Sequence, residues 1–349
     1  MESISIVKIN KNSLNELDEF LMFPLEIYED KKMIEFNIPK TKSMVTETGD
    51  FDLFLAKSSS GKVQGRMVLG VNPAITDENG CPYGYVGIFD VVENFEIFKQ
   101  MLDYARQSFT GKNYILFPLF KSTWYPYRFT SQGFHNYHYF MEFPEQEYYA
   151  EFTKKYGVEE AYKYIASISY DIDKLIENNK KSYEKALSCG ISFRNIDLSR
   201  PREEFKIVYD LTVDNYNDQT NRFFTKISFE EFYSFYEGVI KILDSEFLTF
   251  GCNSKGEPVS YGFSPPDYTP IIEGKGNKIE GVIIKTGATD SNYRKMGIYG
   301  GITYLHGLES KKRNYKYAIG GYTDINLFTH KVMPKDLIWK EHELYKLKV

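Results

Sequence analysis

Cysteine is scarce in this chain, and the few that occur form no recognisable pair. Among 349 residues there are three cysteines, Cys81, Cys189 and Cys252, which lie far apart. Zinc-type sites need cysteine or histidine ligands at short, regular spacing. We therefore expect no metal, and reduced thiols of the kind found in the cytoplasm.

Long apolar runs are also missing. No stretch approaches the roughly 20 apolar residues that a membrane-spanning helix requires. The first ten residues have neither the basic segment nor the apolar core of a secretory signal. We expect a cytoplasmic protein without a membrane partner.

Positive charge is not in excess. The formal net charge is −5, with 42% hydrophobic and 26% charged residues, which is the composition of a folded, soluble protein. Non-specific binding to nucleic acid depends on neutralising phosphates with Lys and Arg. We expect no nucleic-acid partner, and a neutral or cationic small substrate fits this charge.

Several familiar motifs are absent too. The chain has no Walker loop, no G-x-G-x-x-G fingerprint, no His-Glu-x-x-His and no Gly-x-Ser-x-Gly elbow. His135 and His138 are three residues apart, so in a strand they would face opposite sides. These absences argue against the common nucleotide-binding, metalloprotease and serine-hydrolase sites.

What is present is a strand, a glycine-containing loop and a helix in residues 281–306, read GVIIKTGATDSNYRKMGIYGGITYLH. β-Branched residues give way to a polar turn, and apolar residues then recur at helical spacing. The N–H groups at such a helix start point the same way, at the positive end of the helix dipole. This segment predicts a binding site for a phosphate or pyrophosphate.

The element pattern divides the chain into two similar units. We predict an α/β fold of two domains, 1–165 and 191–349, joined by a helical linker over 166–190. Each domain is expected to be a mixed, mostly antiparallel twisted sheet with helices on both faces. Residues 159–187 read as mostly helix-forming, and 338–347 is expected to close the second sheet.

The loop resembles the coenzyme A loop of the GNAT superfamily of N-acyltransferases, whose pattern is Arg/Gln-x-x-Gly-x-Gly/Ala. Arg294-Lys-Met-Gly297-Ile-Tyr299 fits the first two marked positions and departs at the third, where Tyr299 replaces a small residue. The whole chain is similar to tandem GNAT-like bacterial proteins. The resemblance implies an acyl-coenzyme A co-substrate, with acetyl-coenzyme A as the expected one.

The resemblance also implies which residues act. Coenzyme A contacts would come from the strand end, the loop, the first helical turn and a later asparagine: Ile284, Thr286, Arg294, Lys295, Met296, Gly297, Ile298, Tyr299, Gly300 and Asn326. The family often has a tyrosine beyond that asparagine as general acid, and none stands there. Tyr322 or His330 would substitute, and Asp290 is a candidate base or a turn residue.

The first half resembles an eroded copy of the same unit. Its segment from Asp90 to Asn94 is acidic and contains no glycine, so its carboxylates would repel a pyrophosphate. We expect only the second half to bind a co-substrate. The cluster Trp124-Tyr-Pro-Tyr127-Arg128-Phe129 either stacks on a substrate or packs between the domains; packing is favoured.

These features predict an acyl-coenzyme A-dependent N-acyltransferase acting on a small-molecule amine, as a monomer or homodimer. Two alternatives stay open. One is aminoacyl or long-chain acyl transfer, as in the Fem family, which also has two such domains. The other is a degenerate pair of domains that binds a ligand or another protein without catalysis.

Overall fold

The computed structural model describes residues 3–46, 49–136, 138–216, 223–238, 240–324 and 338–349. The first half alternates strands and helices: β1 (Ile4–Ile9), α1 (Leu14–Met22), α2 (Pro24–Ile27), α3 (Lys31–Thr46), β2 (Phe51–Ser58), β3 (Val63–Thr76), β4 (Pro82–Val91), α4 (Phe95–Ser108), β5 (Tyr114–Phe117), β6 (Phe129–Gln132), α5 (Tyr148–Tyr156) and β7 (Glu159–Ser169).

The second half repeats this alternation: α6 (Ile172–Ser188), β8 (Ser192–Asn195), α7 (Pro201–Tyr216), α8 (Phe229–Glu237), β9 (Leu248–Cys252), β10 (Pro258–Phe263), α9 (Thr269–Ile272), β11 (Gly281–Ile284), β12 (Thr286–Thr289), α10 (Ile298–Lys312), β13 (Tyr317–Asp324) and β14 (Ile338–Lys348). Local chemistry sets several ends. Ser228 caps α8, since its Oγ accepts a hydrogen bond from the Glu231 N–H at 3.1 Å.

The strands form a large sheet and a small one. Among the described residues, ten strands make the large sheet, in the order β1-β2-β3-β4-β5-β14-β7-β13-β11, with β6 paired to β14. The small sheet has the order β12-β10-β9-β8. The pairings of β4 with β5 and of β11 with β13 are parallel, and the other strand pairings in the described parts of the chain are antiparallel. The predicted mixed, mostly antiparallel fold is confirmed.

The two halves exchange their last strands. β14 ends the chain, yet it lies between β5 and β7 of the first half and pairs antiparallel with both. In return, β7 ends the first half and pairs antiparallel with β13 of the second. β14 therefore closes a sheet that the halves share, rather than one belonging to the second half alone.

Residues 159–169 are a strand, so the helical prediction for this stretch is wrong. Tyr164, Ala166 and Ile168 are buried and alternate with more exposed neighbours, which is the period of a strand. Helix α6 follows at Ile172. The boundary predicted at residue 165 falls inside β7, and the division into two domains stays a prediction.

Helices cover both faces of each half. In the first half, α4 packs Phe98, Met101 and Leu102 into one core cluster, while α1 packs Leu17 and Phe20 into another. Phe98 is fully buried, and burying such a side chain stabilises the fold by about 1.5–3 kcal/mol. In the second half, α7 and α8 cover one side, and α6 with α10 the other.

Candidate functional site

The candidate site begins where a strand of the second half splits between two sheets. β11 pairs with β13 as far as Ile284, opposite Gly320, whereas β12 pairs with β10 from Thr286 onward. Only Lys285 lies between them, and its N–H bonds to the Phe263 carbonyl at 3.1 Å. β13 shifts register after Gly320 and continues along β7. The strands β12 and β13 therefore diverge and open a split.

The predicted loop and helix follow β12. Asp290 caps the short turn Ser291–Tyr293, because its Oδ1 accepts a hydrogen bond from the Asn292 N–H at 2.8 Å. Arg294 and Lys295 are exposed, and Lys295 has a φ of 67°. The arrangement leaves two cationic side chains in solvent beside the helix start, while Asp290 has the role of a turn residue.

Helix α10 begins without a side-chain cap. Its N-cap residue is Gly297, with a φ of 82°, and the buried Ile298 is its first residue. Within the parts of the chain that the structure describes, the N–H groups of residues 295–300 have no backbone acceptor. Uncapped N–H groups at a helix start attract anions.

The loop glycines are required by packing as well. A Cβ on Gly297 would lie 2.4 Å from the carbonyl oxygen of Ser182 in α6. A Cβ on Gly300 would lie 2.6 Å from the Ser182 Cβ. Met296 and Ile298 join a cluster around Ile302. The sequence pattern of the loop thus also fits α10 closely against α6.

Tyr299 is accommodated by a glycine of β12. Its ring lies so close to Gly287 that a Cβ there would be 2.3 Å from the Tyr299 Cε2. Burial, with a smaller contribution from Tyr216, raises the pKa of Tyr299. The ring of Tyr299, the large residue at the third position of the loop pattern, therefore packs against β12 and not over the start of α10.

Tyr216 at the end of α7 is a site residue that sequence reasoning missed. Its hydroxyl is 3.0 Å from the Gly287 carbonyl oxygen and 2.9 Å from the Thr286 Oγ1. Because a phenol has one hydrogen, donation to Gly287 means that Thr286 donates to Tyr216. Burial raises the pKa of Tyr216, so the phenol stays protonated. As one of 29 tyrosines it carried no distinguishing signal.

Tyr322 lies beyond the split in a buried polar cluster. Its hydroxyl donates to Glu142, whose Oε2 is 2.9 Å from the Lys340 Nζ. Burial and the charge of Glu142 raise the pKa of Tyr322 well above its usual value. The guanidinium carbon of Arg128 is 3.0 Å from the centre of the Tyr322 ring. The structure thus brings Tyr322 together with groups from both halves.

The predicted residues fall into separate groups. Ile284, Thr286 and Tyr299 border the split, and the loop residues precede α10. Asn326 and His330 lie outside the described residues, so their roles stay predictions. The catalytic assignments of Asp290 and Tyr322 likewise stay predictions.

The first half is closed at the equivalent place. The Leu119 N–H bonds to the Val86 carbonyl at 2.7 Å, beside the end of β5. The Asn94 side chain accepts hydrogen bonds from the N–H groups of Glu96 and Ile97, at 3.0 and 3.4 Å. Helix α4 therefore starts with its own cap.

Described residues also line cavities away from the loop. One of about 520 Å³ lies between the halves and is lined by Asn72, Lys121 and Glu231, among others. Another of about 70 Å³ is lined by residues of α3, the end of β4 and Arg128.

In the described parts of the chain, no helix is long and apolar enough to cross a membrane.

No protein-family model and no curated protein sequence matches this chain. Solved structures share its fold at low sequence identity. The GCN5-related glucosamine N-acetyltransferase region of a fungal multi-domain GH3 β-N-acetylglucosaminidase aligns with a TM-score of 0.57 and 13% identity, over 99% of this chain and 38% of that one.

Two other structures align over nearly their whole length. A GCN5-related N-acetyltransferase from Sphaerobacter thermophilus has a TM-score of 0.51 and 8% identity, over 99% of this chain and 95% of that one. A tandem GNAT protein from the clavulanic acid biosynthesis pathway has a TM-score of 0.51 and 11% identity, over 99% and 98%. The predicted tandem GNAT-like fold is confirmed; at these identities the likeness concerns the fold alone.

Proposed function

We propose that this protein transfers an acyl group, with acetyl as the expected one, from coenzyme A to the amine of a small molecule. The observation that carries the proposal is the open start of α10 beside the split between β12 and β13. A pyrophosphate suits N–H groups that lack acceptors and lie at a helix start. The tandem GNAT-like fold supports the same assignment.

The residues suit different parts of such a co-substrate. Residues 295–300 would hold the pyrophosphate, with Arg294 and Lys295 adding positive charge. The coenzyme A thioester supplies the acyl group. The strand edges at Ile284 and Thr286 border the place for its arm, since neither β12 nor β13 pairs across the split among the described residues.

Acyl transfer also requires a neutral amine and a proton for the departing thiolate. We assign the proton to Tyr216, because its hydroxyl lies at the split and burial keeps it protonated. Replacing Tyr216 by Phe is expected to lower kcat about tenfold to a hundredfold while the affinity for acetyl-coenzyme A stays within a factor of two. Tyr322→Phe is the matched variant that tests the other candidate.

Calorimetric titration with acetyl-coenzyme A tests the proposal, with free coenzyme A and NAD as controls. Binding of one molecule per chain at micromolar strength, without binding of NAD, is the expected result. Longer acyl-coenzyme A esters in the same titration decide whether the acyl group is acetyl. Absence of binding would contradict the proposal and favour another acyl donor, such as an aminoacyl group.

A screen of amines with thiol detection then separates catalysis from binding alone. Release of coenzyme A that depends on an amine supports the transferase. Binding without release for any amine would favour the non-catalytic alternative. The close packing of Gly297 and Gly300 against α6 is the feature that agrees with that alternative.

A further inference from the structure

Three cationic side chains from separate segments lie near one another between the halves. Lys40 contacts the ring of Phe143, which lines one cavity together with Arg128. Arg128 stacks on the ring of Tyr322, and the preceding Gly321 lies so close to Lys285 that a Cβ on it would be 3.3 Å from the Lys285 Cα. Lys40 belongs to α3, Arg128 precedes β6, and Lys285 separates β11 from β12. Burial and then the charge of Lys285 lower the pKa of Lys40 to about 8. Burial and then the charge of Arg128 lower the pKa of Lys285 to about 8. The three charges therefore act on one another.

These cations face aromatic rings instead of carboxylates. The Lys40 Nζ is 4.9 Å from the centre of the Phe143 ring, and the Lys285 Nζ is 5.7 Å from that of Tyr236. Across the described residues, neither ammonium group has a hydrogen-bond or ion-pair partner. Cation–ring contacts stabilise a charge by only about 0.5–2 kcal/mol, which does not replace a counter-ion.

Arg128 is short of partners too. Its Nε and Nη1 are buried and have no hydrogen-bond partner in the described structure. Its guanidinium carbon is 4.1 Å from the centre of the Tyr127 ring, and stacking of this kind fixes the plane of the group. Buried polar atoms are normally paired, so two unpaired guanidinium nitrogens in one place indicate a missing acceptor.

The nearby carboxylates do not balance this charge. Glu142 is paired with Lys340 at 2.9 Å, and Glu145 accepts a hydrogen bond from the Thr130 N–H. Asp324 is buried, and its charge contributes to the raised pKa values of Tyr127 and Tyr164. One such carboxylate against three cations leaves the cluster positive.

The cluster is open to a small molecule. Lys40 is exposed to solvent, and the many protein atoms around it nevertheless lower its pKa. This combination is that of a side chain projecting into a solvent-filled cleft. The cavity of about 70 Å³ lies beside it, since Arg128 and Phe143 line that cavity together with Asn37 and Thr41 of α3.

We propose that Lys40, Arg128 and Lys285 bind the anionic group, a carboxylate or a phosphate, of the amine that accepts the acyl group. Lys285 directly precedes Thr286, so an acceptor anchored there by its anionic group presents its amine toward the split. The planar guanidinium of Arg128 suits a carboxylate or phosphate oxygen pair. The claim that the bound anion belongs to the acceptor amine rests on the proposed acyl transfer. The claim that the site binds an anion rests on the cation cluster alone.

Anion binding is tested first without any acyl donor. Calorimetry uses 3-phenylpropionate, which has a carboxylate and no amine, and inorganic phosphate. The parent is expected to bind at least one of them, and Lys40→Gln and Lys285→Gln are each expected to weaken that binding about tenfold. Lys42→Gln, an exposed lysine of the same helix, is the matched control and is expected to leave the affinity unchanged.

Turnover then identifies the source of the anion. Phenylalanine is compared with phenethylamine for the carboxylate, and O-phosphoethanolamine with ethanolamine for the phosphate. The parent is expected to prefer the anionic member of one pair by at least about tenfold in kcat/KM, mainly through KM, and Lys285→Gln is expected to reduce that preference. Arg128→Lys, which keeps the charge but loses the planar group, is expected to reduce it less than Arg128→Gln.

The outcomes separate this inference from the proposed function. Acetyl-coenzyme A binding and amine acylation without preference in either pair, and without lysine-dependent anion binding, would overturn the anion site and leave the transferase standing. Lysine-dependent anion binding by a protein that neither binds acetyl-coenzyme A nor acylates amines would support the anion site and overturn the transferase.

Discussion

In the first half of the molecule, β4 runs into α4 through Asn94, whose side chain takes up two of the helix's free N–H groups. In the second half, β12 runs into α10 through Gly297, which has no side chain with which to cap the helix. A capped helix start satisfies its own donors, whereas an uncapped one needs solvent or a ligand. The difference between an Asn and a Gly at one position therefore separates a structural turn from a candidate anion site.

The strands beside these helices differ in the same direction. In the first half, the chain after β5 returns to β4, where the Leu119 N–H bonds to Val86 and a Cβ on Gly87 would lie 2.5 Å from the Leu119 carbonyl oxygen. In the second half, Lys285 separates strands of two sheets, and the pairing of β13 with β11 ends at Gly320 while β13 continues along β7. The first half is therefore closed by hydrogen bonding at this place, whereas the second half has a split.

The largest expected effect concerns Gly297, whose conformation and contact both exclude a side chain. Replacement by Ala forces a residue with a Cβ into the left-handed backbone conformation. It also places that Cβ 2.4 Å from the Ser182 carbonyl oxygen. We expect a loss of roughly 3 kcal/mol in the free energy of unfolding, measured by urea denaturation.

The matched control for Gly297→Ala is Gly256→Ala, in the hairpin turn between β9 and β10. Gly256 has a φ of 81°, close to that of Gly297, but no described atom lies within 4 Å of the place of its Cβ. Only the conformational cost remains there, about 1 kcal/mol. Equal losses in the two variants would show that α6 does not constrain the loop.

The next effect tests whether the open helix start of the second half binds the co-substrate. Arg294→Ala removes a cation from the loop, and we expect acetyl-coenzyme A to bind about tenfold more weakly in calorimetry, or about 1.4 kcal/mol. Arg202→Ala removes an exposed arginine of α7 in the same half and is expected to have no effect. Equal affinities of the Arg294 variant and the parent would exclude this loop as the pyrophosphate site.

The sequence predicted the local parts of this comparison well. The strand before Lys285, the loop and the helix from Ile298 follow from β-branched residues, glycines and helical spacing, which are local signals. The turn at Asp90 to Asn94 is acidic and free of glycine, but Asp90 is buried and its carboxylate is 2.7 Å from the Arg66 Nε, so it does not face a ligand as the sequence suggested. That only the second half binds a co-substrate stays a prediction. Asn94 was not foreseen as a cap, although its residue type is typical of one.

Long-range pairing could not be predicted in the same way. The exchange of β7 and β14 depends on which strand edges meet, and no local pattern encodes that choice. Tertiary pairing also overrode the helix-forming composition of 159–169. Lys285 could not be predicted as a site residue, because a single lysine between two short strands is typical of an exposed position. Arg128 was noted, with packing favoured over substrate contact, but its unpaired nitrogens emerge only in the structure.

A smaller effect tests the prediction that the first half does not bind a co-substrate. Asn94→Ala removes the cap of α4, and we expect the free energy of unfolding to fall by about 1 kcal/mol. The stoichiometry of acetyl-coenzyme A should stay at one per chain, since the Leu119 N–H still bonds to Val86. A second binding site in this variant, seen by calorimetry, would mean that the cap alone keeps the first half from binding.

The smallest effect concerns a place where the two halves bring like charges together, Arg128 from the first half and Lys285 from the second. Lys285 has a pKa of about 8 in the folded protein and an ordinary value of 10.5 in the unfolded chain, so the unfolded state holds more protons between these values. Stability due to this group therefore rises as the pH increases from about 8 toward 10.5. We expect Lys285→Gln to be more stable than the parent near pH 7, by somewhat less than 1 kcal/mol after allowance for solvent screening, and this advantage to shrink by pH 9.5. Lys42→Gln should follow the parent at every pH in the same urea titrations. An advantage of Lys285→Gln that does not change with pH would mean that the lysine disturbs packing, and that neither the burial of its charge nor its repulsion by Arg128 destabilises the fold.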